Sequence, residues 1–209
     1  MTQSKNGRHD TLVIGKYGGL GSALIKKIHD CDSISSTDLD LNQPEKIKLF
    51  DFSHYKTVIN AAGHSRGTFL GFQKNTYENI ISQINVNYLS NLLILKRFAE
   101  QCTAGTYVWI SSDVMDHPRP FHSVYASSKI ASQYAMELIR KELDHISILE
   151  IKIGFTKTNL RYNNFLGTVS KSKIDSTYPV DTMEPEYVAE QICNSLNSKQ
   201  TFKHIKYDQ

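Results

Sequence analysis

The chain has 209 residues, of which 24 are Lys or Arg and 21 are Asp or Glu, for a net charge of +3. That length buries a core without disulfides or structural metal, and that charge argues against nucleic acid or a membrane surface as a partner. Cys31, Cys102 and Cys193 are scattered, odd in number and form no Cys-x-x-Cys pair, so neither a disulfide framework nor a zinc site is expected and no metal is assigned.

Residues 1–10 are polar, without the apolar core of a signal peptide, and are expected to be a disordered or flexible N-terminus. No stretch approaches the ~18 apolar residues of a membrane span, which makes a cytoplasmic location the default. Residues 11–15 read as a short buried strand running into Gly15-Lys16-Tyr17-Gly18-Gly19-Leu20-Gly21, then a helix over 22–29. In that order, Gly15 allows a tight turn, Gly18 or Gly19 lets backbone approach a pyrophosphate, and Gly21 lets the helix pack on the strand with its amides aimed at the phosphates. The run therefore favours a dinucleotide over a plain turn.

Residues 33–37 form a plausible second strand ending near Asp38, and 56–60 a third, entering Ala61-Ala62-Gly63 after Asn60. A long helix with an apolar stripe is expected within 77–101, and a strand over 106–110 that terminates at Ser111 and Ser112. Residues 123–143 read as a helix carrying Tyr125 and Lys129, and 146–153 as a buried strand broken by Gly154. A polar stretch, 156–183, has the length of a lid or binding loop, with disorder as its alternative. Residues 185–196 form the last clear helix, opened by Pro185 and Glu186 in its first turn, and a short strand is expected near 201–207. The βαβ succession predicts an α/β fold of one domain over 11–209, a doubly wound, Rossmann-type parallel sheet whose ligands lie outside the carboxyl ends of the strands.

Tyr125 and Lys129, four residues apart, share a helical face. A phenol with a pKa near ~10 is a sluggish acid or base at neutral pH, and a nearby ammonium favours its phenolate. Taken alone, the spacing marks an exposed helix face in most proteins; here it accompanies the glycine turn, Asn60 and Ser112.

Together these residues resemble the short-chain dehydrogenase/reductase family from Thr11 to about Leu196. The turn Gly15–Gly21 is similar to its cofactor turn, Asn60-Ala61-Ala62-Gly63 to its Asn-Asn-Ala-Gly motif, Val86-Asn87 to its helical asparagine motif, and Ser112 with Tyr125-x-x-x-Lys129 to its catalytic segments. The resemblance implies Tyr125 as general acid or base, Lys129 as its electrostatic support and a ribose ligand, and Ser112 as donor to the substrate oxygen, with Ser111 as the fallback. It implies that Asn87 holds a water of a proton relay; the competing reading is a polar residue satisfying helix backbone. It assigns cofactor contacts to Gly15, Lys16, Tyr17, Gly18, Gly19, Leu20, Gly21, Asn60, Ala61, Ala62, Gly63, Gly154 and Thr158. Ile153-Gly154 departs from the family's Pro-Gly.

Two alignments compete on the adenosine side. One puts Asp38 on the ribose, which favours NAD; the other sets Asp40 and Leu41 against adenine and leaves Ser36 and Thr37 by the ribose, with Lys16 in reach of a 2′-phosphate. NAD is favoured over NADP. The substrate is expected to be a small carbonyl or alcohol lined by the 156–183 loop, with His64, Arg66, His117, Arg119 and His122 as wall candidates. Arg66, Arg119, Lys157, Arg161, Lys171 and Lys173 would suit an anionic substrate such as a phosphorylated polyol or sugar; their bland reading is solvated loop charge. The segment Arg119-Pro-Phe-His-Ser-Val-Tyr125, with Thr158-Asn-Leu-Arg161 and Asn164-Phe165, faintly resembles sugar-phosphate and polyol-phosphate reductases of this family. The resemblance implies a homodimer or homotetramer through 77–101 and 123–143. The alternatives in function are an epimerase or dehydratase, and a non-catalytic NAD(P) sensor.

Overall fold

Alternation along the strands explains the whole architecture. In β1 (Thr11–Ile14), Leu12 and Ile14 join one apolar cluster and Val13 joins another; in β4 (Gly105–Ser112), Tyr107 and Trp109 divide from Val108 and Ile110 in the same way. A strand whose successive side chains leave on opposite faces, all of them buried, must have helices on both sides. The computed structural model describes residues 9–66, 71–116, 120–163, 172, 182–196, 198 and 200–206, and in it that sheet has six parallel strands in the order β2-β1-β3-β4-β5-β6. The others are β2 (Asp32–Ile34), β3 (Thr57–Asn60), β5 (Ile146–Ile153) and β6 (Phe202–Ile205). The chain moves one way from β1 to β2 and the other way to β3, so the switch point, where such sheets bind ligands, lies between β1 and β3.

One face is covered by α1 (Gly19–Ile28), which supplies Leu20, Ala23 and Leu24, and by α7 (Pro185–Leu196), which supplies Val188, Ala189 and Ile192. The other is covered by α2 (Pro44–Leu49), α4 (Ser90–Gln101) and α5 (Ser123–Ile139) through Ile47, Ile94, Leu95, Phe98 and Met136. Each fully buried Leu or Ile contributes about 1.5–3 kcal/mol.

Several boundaries differ from the sequence reading. β2 stops at Ile34 rather than 37 because the backbone amides of Asp38 and Leu39 return to the Ser35 carbonyl and close a turn. The helix expected within 77–101 is α3 (Tyr77–Ile84), a π-helical turn (Asn85–Leu89) and α4; the carbonyls of Val86 and Asn87 take side-chain donors from Ser90, Asn91 and Ser132. α5 ends at Ile139, where Arg140 leaves the helix to donate to the Ile148 carbonyl. The short helices α2 and α6 (Leu160–Asn163) carry too few residues to show a period. Residues 1–8, 207 and most of the 156–183 segment lie outside the described residues. The three cysteines are free.

Candidate active site

The carboxyl ends of β1, β3, β4 and β5 open into one cleft of about 590 Å³, inside the ~300–1,000 Å³ range of small-ligand sites. At its floor, Gly15 turns the chain with φ 97°, a conformation that L side chains rarely adopt. The Gly15 and Lys16 amides both donate to the Ile34 carbonyl, at 2.9 and 3.0 Å, so the loop is anchored to β2. At Gly21 a Cβ would lie 2.2 Å from the Gly15 carbonyl oxygen, and only its absence lets α1 start against the strand. Gly18 is the N-cap; no side chain caps the helix and no acid occupies its first turn. The uncapped amides and the positive helix end fit an anionic pyrophosphate. Gly15, Tyr17, Gly18, Gly19 and Leu20 line the cleft, whereas Lys16 and Gly21 do not.

On the adenosine side, Ser35, Ser36, Asp40 and Leu41 line the cleft and Thr37 and Asp38 do not. The Asp38 carboxylate accepts from Lys16 Nζ at 2.9 Å, from the Ser35 amide at 2.8 Å and from Ser35 Oγ at 2.9 Å. Lys16 first, and the Ser35 donors next, lower its pKa to about 2. Thr37 Oγ1 is within 2.7 Å of Ser35 Oγ. Asp40 accepts from the Asn42 amide and Gln43 Nε2, bracing the entry to α2. The Asp38 carboxylate on which the NAD preference rested is thus already engaged within the chain.

Asn60, buried at the end of β3, donates to Asn91 Oδ1 at 2.9 Å and accepts from the Ala62 amide, which shapes the loop that brings Ala61, Ala62 and Gly63 to the cleft wall. Asn87 secures the same loop from the other side. Its Oδ1 accepts from the His64 amide at 2.9 Å, and its Nδ2 donates to the His64 carbonyl at 2.7 Å and to Ser128 Oγ at 3.2 Å. Its own carbonyl takes Asn91 and Ser132 at 2.7 Å each. The Asn87 side chain thus satisfies the backbone of the His64 loop rather than that of its own helix.

Ser112 terminates β4 and caps the 3-10 turn Asp113–Met115; its Oγ accepts from the Val114 amide at 3.3 Å, which leaves its proton to donate elsewhere. Ser111 is different: its hydroxyl donates to the buried Glu150 Oε1 at 2.6 Å. Tyr125 enters in the first turn of α5, and Lys129 follows one turn later with its Nζ 5.9 Å from the tyrosine ring centroid. Lys129 is 3% exposed, and its Nζ donates to the Ile110 carbonyl at 2.8 Å. Burial pushes its pKa from 10.5 down to about 8.

Gly154, Thr158, His64 and His122 also line the cleft; Arg66 does not, and Lys157 pairs with Glu184. Burial first, and Arg66 second, lower the His64 pKa below its ordinary 6.5, so this imidazole is neutral at pH 7. His117, Arg119, Asn164, Phe165, Lys171, Lys173 and the Arg161 side chain lie outside the described residues. Ser35, Ser65, Asp113 and Asn159 line the cleft without having been singled out from sequence; Ser65 and Asp113 each directly follow a residue that was. Among the described residues, no three of His, Cys, Asp and Glu gather as a metal site, and no helix is long and apolar enough to cross a membrane.

Comparison with known proteins agrees with this geometry. The bovine (Bos taurus) protein named dehydrogenase/reductase SDR family member 7B is 28% identical over 154 residues, 71% of this chain and 46% of that protein. The chain spans about half the length of the curated relatives it matches. Among solved structures, a small-chain dehydrogenase in complex with NADPH superposes with a TM-score of 0.80 at 18% identity, covering 96% of this chain and 97% of the other. A short-chain dehydrogenase/reductase from Burkholderia phymatum in complex with NAD gives 0.76 at 12% identity, covering 94% and 89%. These likenesses concern the fold. The family profile described as short chain dehydrogenase matches residues 50–167, more than half of the chain and the span that contains Asn60, Asn87, Ser112, Tyr125 and Lys129. This protein therefore belongs to the short-chain dehydrogenase family.

Proposed function

We propose that this chain is an NAD(P)-dependent oxidoreductase interconverting a carbonyl and an alcohol, with Ser112, Tyr125 and Lys129 as its catalytic residues. The observation that carries this reading is the meeting of these three side chains, from the end of β4 and the first turns of α5, in the cleft that the glycine loop floors. When bound, the nicotinamide supplies or accepts the hydride. The chain's part is protonic and electrostatic. Ser112 Oγ donates to the substrate oxygen, and Tyr125 gives that oxygen its proton in reduction or takes it in oxidation. The buried ammonium of Lys129 is the charge that supports a phenolate at Tyr125 and that would meet the ribose hydroxyls.

Either dinucleotide fits the uncapped end of α1. The Lys16–Asp38 ion pair is self-neutralising, so neither partner is left to select against a 2′-phosphate or to attract one. Among the described residues lining the cleft, Lys129 is the one lysine and no arginine occurs, which favours an uncharged substrate. With Arg66 off the cleft and Lys157 paired, the phosphorylated-polyol reading rests on Arg119, Lys171, Lys173 and the Arg161 side chain, outside the described residues. Exposed apolar side chains on α3 and α5, among them Ile81, Ile130, Tyr134 and Leu138, support a homo-oligomer; light scattering that returns the mass of one chain would remove it.

Tyr125→Phe tests the mechanism. It should reduce turnover of any carbonyl substrate by about 10²-fold or more and leave NAD(P)H binding nearly intact. Undiminished turnover eliminates Tyr125 as the proton donor.

A further inference from the structure

Two elements, β4 and α5, carry the reacting groups, and one side chain on β5 joins them. Glu150, in the middle of β5, is 3% exposed. Its Oε1 accepts from Ser111 Oγ at 2.6 Å and from Gln133 Nε2 at 3.0 Å. Ser111 immediately precedes Ser112 on β4, and Gln133 lies one turn beyond Lys129 on α5. In the parallel register, Trp109 pairs with Glu150 and Ser111 with Lys152, so all four side chains leave the sheet on one face. That face is the one on which α5 packs, because Trp109 and Met136 share a cluster. Lys152 then reaches Asp116 at 2.5 Å, just past the 3-10 turn that begins at Asp113, and holds the chain on the far side of Ser112. The segment bearing Ser112 is thus tied to β5 before and after the serine.

Beyond assigning Ser112, Tyr125 and Lys129, we propose that Glu150 is a positioning residue, a brace that sets the Ser112-bearing strand against the Tyr125/Lys129-bearing helix. A carboxyl group buried in the middle of a sheet adds nothing to hydrophobic packing, and burying it is costly unless its oxygens are bonded. Here its donors come from the two elements whose relative position fixes the distance from the serine hydroxyl to the phenol. Misplacing a catalytic group by ~1 Å lowers rates by about 10²-fold, so a brace at this point controls turnover without touching substrate. The brace concerns the same site as the proposed activity and rests on that assignment.

The test compares Glu150→Gln, Glu150→Leu and Gln133→Leu with the parent protein. The first readout needs no substrate: the side-chain titration of Lys129 in ¹³C-lysine-labelled protein, with the resonance assigned through Lys129→Arg. Loosening α5 from β4 lets water reach the ammonium, so Glu150→Leu and Gln133→Leu should raise the Lys129 pKa toward 10.5. Loss of an anion alone would lower that pKa or leave it unchanged. Glu150→Gln keeps an acceptor for Ser111 and should stay near the parent.

The second readout is single-turnover oxidation of NADPH by a panel of aliphatic and aromatic ketones. It should slow about tenfold or more in the two leucine variants and recover in Glu150→Gln. A Lys129 pKa that stays or falls in Gln133→Leu and in Glu150→Leu overturns the brace, and Gln133→Leu decides alone if Glu150→Leu does not fold. If the parent protein oxidises NADPH with no ketone, the assigned activity fails while the lysine titration still judges the brace.

Discussion

Lys129 offers a quantitative test of the site, because its position costs stability. The amine is 3% exposed and its pKa falls from 10.5 to about 8 through burial. A difference of about two and a half pKa units, at ~1.4 kcal/mol each, means that keeping the lysine charged at pH 7 destabilises the fold by about 3 kcal/mol. The hydrogen bond to the Ile110 carbonyl at 2.8 Å offsets part of this, about 1.5–3 kcal/mol for a charged donor. Lys129→Met keeps the aliphatic stem and removes both effects. The variant should be between equal to and about 2 kcal/mol more stable than the parent at pH 7, while carbonyl turnover falls steeply.

The pH dependence has a definite sign. The folded-state pKa lies below the unfolded one, so the penalty is complete below pH 8 and fades as the pH rises from 8 to 10.5. Between pH 7 and 10.5 the parent should therefore gain about 3 kcal/mol on the variant, which closes the gap and reverses its sign. Urea unfolding followed by the fluorescence of Trp109, the one tryptophan and fully buried, gives the stability at each pH. A Met variant less stable by more than about 1 kcal/mol at pH 7, or a parent that gains no stability relative to the variant from pH 7 to 10, would refute the reasoning.

Gly21→Ala should destabilise the protein by about 1–3 kcal/mol, measured by urea unfolding, and abolish NAD(P)H binding, because its Cβ would lie 2.2 Å from the Gly15 carbonyl oxygen. Asp38→Asn releases Lys16 and should lower the Kd for NADPH relative to NADH by about tenfold, read by nucleotide fluorescence titration. With the Asp38 pKa lowered to about 2, the ion pair of the folded parent protein persists through pH 4 and is lost only as the pH falls through about 2. The parent's nucleotide preference should accordingly be flat between pH 7 and 9, above the second pKa of a phosphate monoester near ~6. Asn87→Leu orphans the His64 amide and carbonyl and should cost about 2–4 kcal/mol, with cleft binding weakened in parallel; a change below 1 kcal/mol would mean that these bonds hold nothing in place.

The chain itself determined much of this protein. Strand alternation, the strand-glycine-helix order and the four-residue step from Tyr125 to Lys129 are local properties, set by backbone period and sterics over a few residues, so the parallel sheet and the shared helical face of Tyr125 and Lys129 were legible without coordinates. Tertiary structure alone decided which charges are spent on one another. In the sequence Asp38 reads as an unpaired acid, and only the fold brings Lys16, 22 residues away, to its carboxylate. Ser111 and Ser112 are indistinguishable as neighbours in a sequence, and were separated only by the sheet face on which Glu150 meets one of them. The π-helical turn that frees the Asn87 carbonyl depends on donors from Asn91 and Ser132, the second of them on another helix. Hydrogen bonds and ion pairs form between whichever groups the fold brings within about 3 Å. Periodicity records which face a residue takes, and it carries nothing about the partner waiting there.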